Sequence, residues 1–112
     1  MRIIIRTDGG NVPEIGTGHI KRTILLAKYL KKKLNSNVLD IIFVSQGCKR
    51  FEFGRKKITS EGFAIHTISK DSNNKLELME ILDLEFELII FDKLSINHKI
   101  VKGLKLHNKK VI

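Results

Sequence analysis

Arg2-Ile3-Ile4-Ile5-Arg6-Thr7, closed by Asp8-Gly9-Gly10 and continued by a glycine-rich loop to Gly18-His19-Ile20-Lys21-Arg22, decides the fold. A short β-branched run ended by Asp-Gly-Gly reads as a buried strand leaving into a turn. Beyond the loop the apolar period changes. Ile20, Ile24, Ala27, Leu30 and Leu34 recur at helical spacing over residues 19–34, with Lys21, Lys28 and Lys32 on the flank. Asn35-Ser36-Asn37 breaks that helix.

The same alternation continues downstream. Residues 39–45 (LDIIFVS), 63–69 and 86–91 (FELIIF) read as three more buried strands. Between them, residues 49–61 form a weakly patterned helix, with Phe51 and Ile58 one heptad apart and Gly62 as its stop. Asp71-Ser72-Asn73-Asn74 supplies turn and N-cap chemistry for a helix over about 75–84. A last helix covers about 96–106, and residues 109–112 look like the start of a fifth strand. Apolar strands alternating with helices predict a parallel sheet covered on both faces: an α/β, Rossmann-like, doubly wound single domain over residues 1–112 with about five strands. Ligands of such a sheet bind beyond the carboxyl ends of its strands. That rule selects the 8–18 loop, the Ser45–Cys48 turn, the turn after Ser69 and the segment opening at Asp92.

Composition sets the class. The chain has 112 residues, 42% hydrophobic and 29% charged, with one proline and one cysteine. That suits one globular domain and argues against disorder. No apolar run approaches the ~18 residues of a membrane span, and Ile3-Ile4-Ile5 before Arg6 and Asp8 makes no signal peptide. Cys48 stands alone, so neither a disulfide framework nor a cysteine zinc site is expected. The expectation is a cytoplasmic protein without membrane insertion. Net charge is +9, of which residues 1–56 carry +8 and residues 57–112 carry +1. Such a field suits nucleic acid, an anionic membrane or a phosphorylated small molecule. Yet 16 of the 21 basic residues are Lys, in a chain also rich in Ile and Asn, as an AT-rich genome would produce.

The chemistry concentrates in Ile15-Gly16-Thr17-Gly18-His19, between the first strand and the first helix. The glycines let the backbone turn tightly and leave room for a ligand, and free N–H groups at the helix start favour an anion. His19 at the mouth of such a cleft suits general-base work. The stretch is no dinucleotide fingerprint, because Lys21 stands where a third glycine belongs, and no Gly-Lys-Ser/Thr follows for a Walker loop. On spacing alone, a glycine turn with an incidental histidine explains it as well.

Beyond spacing, Arg6, Asp8, Ile15, Gly16, Gly18, His19, Ile20, Arg22, Leu26 and Ala27 form a pattern. It resembles the amino-terminal domain of the UDP-sugar hydrolases of pseudaminic acid and spore-coat polysaccharide biosynthesis. These belong to the GT-B superfamily with the murein glycosyltransferase. Gly62-Phe63 and the FELIIF run ending at Asp92 are similar to that family as well. The resemblance implies that His19 is the base activating water against a UDP-activated acetamido sugar. It implies that Gly16, Thr17 and Gly18 line the sugar–diphosphate pocket, and that Asp8 and Asp92 border the cleft as structural or substrate-contacting groups. It implies no metal and no cofactor. It further implies a second, nucleotide-binding GT-B domain, absent from these residues and supplied as a missing carboxyl-terminal half or a separate partner chain, without which the hydrolase is inactive. The family's Asp-His-Tyr motif is here Asp92-Lys93-Leu94, whose leucine cannot donate a hydrogen bond.

Alternatives from other classes are a non-catalytic domain or glycosyltransferase-like subunit, and a basic nucleic-acid module that only charge supports. His66 reads as a packed or edge-strand residue, His98 and His107 as surface residues at no metal spacing, and Cys48 as inert.

Overall fold

The computed structural model describes residues 1–10, 18–34, 38–69, 71–93 and 97–112. The isoleucines of the opening run occupy the middle of the sheet. Strand β1 (Arg2–Thr7) pairs in parallel with β2 (Asp40–Gln46) on one side and β4 (Leu88–Asp92) on the other. Ile4 therefore lies between Ile42 and Ile89. Strand β3 (Ala64–Ile68) adds outside β2, and the two-residue β5 (Lys110–Val111) outside β4. The order is β3-β2-β1-β4-β5, with every neighbouring pair parallel.

Helices cover both faces. Alternation along β1 sends Ile3 and Ile5 to one side and Ile4 to the other. The first side packs against α1 (Gly18–Lys33) and α2 (Glu52–Ser60), through Ile20, Ile24 and Ala27 of α1 and Ile58 of α2. The second side packs against α3 (Asn74–Leu82) and α4 (His98–Leu106), through Ile81, Ile100 and Leu104. This is the Rossmann-like doubly wound arrangement expected from the alternating pattern. Asn73 caps α3 through Leu76 N–H, and Asn97 caps α4 through Lys99 N–H.

Two boundaries shift for physical reasons. The helix read over 49–61 is a 3₁₀ turn (Lys49–Phe51) followed by α2, and the turn buries Phe51 while leaving Phe53 45% exposed. Phe86 is buried but precedes β4, since it fills the cluster against α3 and α4 from the incoming turn. Strand β3 is less buried than its neighbours because it is the sheet's edge. Gly62 adopts φ of +86°, which explains a glycine at the α2–β3 turn. Among the described residues no helix is long and apolar enough to cross a membrane.

The chain leaves β1 for one face and enters β4 from the other. The carboxyl ends of these adjacent strands flank the point where the winding reverses, which is where an open parallel sheet has its crevice.

Candidate functional site

At this crevice β4 ends in Asp92, whose ladder partner on β1 is Thr7. Helix α1 starts at Gly18, so His19 lies in its first turn and Arg22 three residues on, along the same face. His19 Nδ1 lies 2.5 Å from Asp92 Oδ1. Arg22 grips the same carboxylate with two nitrogens, Nε on Oδ2 and Nη2 on Oδ1, in the fork geometry of an arginine–carboxylate pair. A guanidinium can only donate, and Nη2 sits 2.7 Å from Nδ1. Asp92 Oδ1 and Arg22 Nη2 thus converge on one ring nitrogen; with the proton on Nδ1 the ring donates to Asp92, and Nε2 is then the acceptor. The His19 and Asp92 side chains are only 15% and 16% exposed. Burial works against the Asp92 carboxylate, but hydrogen bonds from Arg22 and His19 outweigh it and hold the carboxyl below its ordinary range. A charged, oriented carboxylate behind an imidazole is the arrangement a general base requires.

A second cluster lies beside it. Asp8, just beyond β1, is 6% exposed. Its Oδ1 accepts hydrogen bonds from Arg6 Nη1 at 2.7 Å, Ser45 Oγ at 3.1 Å and the Gln46 amide at 2.8 Å. Arg6 is 1% exposed and also contacts Glu77 of α3 at 3.3 Å. Burial opposes the Asp8 charge, yet Arg6 and the Gln46 amide more than offset it, so this carboxyl too is held below the ordinary range. Asp8 ties β1 to β2 and serves as a structural anchor of the crevice. Lys93, one residue past β4, approaches the other Asp8 oxygen, Nζ to Oδ2, at 3.6 Å. The buried hydroxyl of Thr7 has no hydrogen-bond partner among the described residues.

Of the residues singled out from sequence, His19, Asp8 and Asp92 gather at the carboxyl ends of β1 and β4. Gly18 opens α1, and among the described residues nothing comes within 4 Å of where a side chain would stand. Gly16 and Thr17 lie outside the described residues, as does Leu94. His66 sits on the edge strand, and His98 and His107 are exposed at the two ends of α4. Among the described residues no group of His, Cys, Asp and Glu is arranged to hold a metal. A hollow of about 510 Å³ lined by Met1, Arg2, Leu39, Asp40 and Glu87 lies at the opposite, amino-terminal edge of the strands and shares no residue with this chemistry.

Sequence reasoning assigned no role to Arg6, Arg22, Ser45 or Lys93. Arg6 carried a usable signal: a charged residue inside a buried strand requires a partner. The glycine pair Gly9 and Gly54 was also missed. A side chain on Gly54 would stand 2.4 Å from the Gly9 carbonyl oxygen, which accepts the Gly54 amide at 3.1 Å. This contact fixes where the glycine-rich loop leaves β1.

The chain is 37% identical, over all 112 of its residues, to Uncharacterized protein MJ1062 of Methanocaldococcus jannaschii. No known protein family matches the chain, and no solved structure does. The chain spans about a fifth (21%) of the length of the archaeal relative it matches.

Proposed function

We propose that the chain is the base-carrying amino-terminal domain of a GT-B-type nucleotide-sugar hydrolase, which cleaves a UDP-activated acetamido sugar with water and releases UDP. The observation that carries this reading is the 2.5 Å contact between His19 Nδ1 and Asp92 at the start of α1. Its support from sequence is the IGTGH string in the same place. In the reaction, Nε2 of His19 takes a proton from water as the water oxygen bonds to the anomeric carbon. The bond from that carbon to the diphosphate breaks, and UDP departs with the electron pair. Asp92 stabilises the imidazolium that forms, and the first amides of α1 favour the developing diphosphate charge. The imidazolium then returns its proton to solvent. The working compartment of such a reaction is the cytoplasm.

A general base of this kind contributes on the order of 10²–10⁴ in rate. The test measures UDP release from UDP-N-acetylhexosamines, by the chain alone and with a nucleotide-binding GT-B domain supplied. His19→Ala is expected to lower turnover by at least about 10² while leaving the thermal midpoint in place. Undiminished turnover in that variant ends the assignment.

A second reading is a non-catalytic domain or glycosyltransferase-like subunit that works with a separate nucleotide-binding partner chain. It is favoured by Lys93 and Leu94 standing where the resembled family has His and Tyr. Turnover separates the two: UDP release once a nucleotide-binding GT-B domain is supplied supports the hydrolase, and UDP binding by the assembled pair without release from UDP-N-acetylhexosamines supports the second reading.

A further inference from the structure

Lys93 follows directly on Asp92, and the two side chains serve different clusters. Asp92 is taken up by His19 and Arg22. Lys93 reaches toward Asp8, its Nζ 3.6 Å from Oδ2. That separation is a Coulombic contact, beyond hydrogen-bond length. Asp8 has other partners, since Oδ1 accepts from Arg6, Ser45 and the Gln46 amide, and the Lys93 charge is the least of the effects that hold its carboxyl low. The ammonium has three N–H donors, makes no hydrogen bond among the described residues, and is only 21% exposed. Withdrawing a cation from water without supplying acceptors is unfavourable. Among the described residues the Asp8 contact leaves the three donors unspent, and a ligand acceptor at the crevice takes them up.

We infer that Lys93 is a ligand-binding, specificity-determining residue whose ammonium takes an anionic oxygen of the ligand, phosphoryl or carboxylate, at the carboxyl ends of β1 and β4. The assignment rests on reading this edge of the sheet as the ligand crevice, and it requires nothing of His19. Asp8 aims the lysine and keeps it within the crevice, and the loose contact leaves its donors available. Charge at this position selects for a ligand with an oxyanion close to Asp92.

The test compares the wild-type chain with Lys93→Met, which keeps length without charge, and Lys93→Arg, which keeps charge. Each is titrated at low salt with inorganic pyrophosphate and, separately, with galacturonate, by calorimetry and amide NMR. Lys93→Met is expected to raise Kd about tenfold or more for at least one probe, equivalent to about 1.4 kcal/mol. Lys93→Arg regains most of that loss. A loss confined to pyrophosphate identifies a phosphoryl oxygen, and one confined to galacturonate a carboxylate; either supports the assignment. Equal binding of both probes to wild type and Lys93→Met overturns it, as does the absence of binding by wild type. A fall of about 10 °C in the ligand-free thermal midpoint of Lys93→Met also overturns it, because the lysine is then a structural partner of Asp8. The titration involves no turnover. Normal UDP release by His19→Ala beside a Lys93-dependent Kd thus removes only the hydrolase reading, and unchanged Kd values beside a His19-dependent turnover remove only the lysine's role.

Discussion

At the residue scale, the imidazole of His19 takes its direction from the group that receives the Nδ1 proton. With the proton on Nδ1 that group is Asp92, whose carboxylate Arg22 fixes through both oxygens while its Nη2 also lies beside the ring. Asp92→Asn keeps the volume, but its amide can present N–H to Nδ1 and shift the ring proton to Nε2, the atom that must accept from water. Turnover in Asp92→Asn should fall by about 10²–10⁴, and pyrophosphate affinity through Lys93 should stay within about twofold of wild type. Unchanged kcat would mean that Asp92 does not hold the tautomer. His19 was legible in the sequence through the resemblance of the IGTGH stretch to a known family, since spacing alone fits an incidental histidine as well. Its partners were not. Arg22 looked like one cation among many on α1, and nothing local says that it folds back onto a residue 70 positions away.

At the scale of elements, strand and helix order was legible because β-branched runs and helical periods alternate cleanly from Arg2 to Val111. Packing between elements was less so. Gly54 reads in isolation as a weak point in a helix. In the fold, that position brings the first turn of α2 against the Gly9 carbonyl, with Ile20 of α1 close to both glycines. Helix propensity alone would make Gly54→Ala stabilising by about 1 kcal/mol. Here the added methyl meets a backbone oxygen that cannot rotate away, and overpacking of this kind costs about 1–3 kcal/mol. The net expectation for Gly54→Ala is a thermal midpoint lower by about 4–8 °C. Gly18→Ala adds a methyl that meets nothing within 4 Å among the described residues and is expected to hold or raise the midpoint. Calorimetric melting of the two variants decides the matter, and a higher midpoint in Gly54→Ala would show that the α2 contact yields freely.

For the whole molecule, acid is the direction in which the fold is vulnerable. The chain already carries +9, and 8 of its 12 carboxylates lie in residues 57–112, so protonating them makes the nearly neutral half positive as well and repulsion grows throughout. Two carboxylates at the crevice make this sharper. Asp8 and Asp92 are both held below the ordinary carboxyl range, because hydrogen bonds and cations outweigh the effect of burial. A carboxyl with a lower pKa folded than unfolded contributes stability above its unfolded value, about 3.9, and loses it as pH falls through the folded value. Stability should therefore be level above about pH 5 and decline from about pH 4 downward as the two carboxylates protonate. Urea midpoints measured between pH 3 and pH 8 check the window. In Asp92→Asn the decline below about pH 4 should be shallower than in wild type, since one of the two linked protons is gone. Raising salt at low pH should recover part of the wild-type loss by screening the repulsion among the cations. Salt cannot restore a protonated Asp8, so recovery to the neutral-pH midpoint would show that general charge repulsion, and not the crevice pairs, governs acid unfolding.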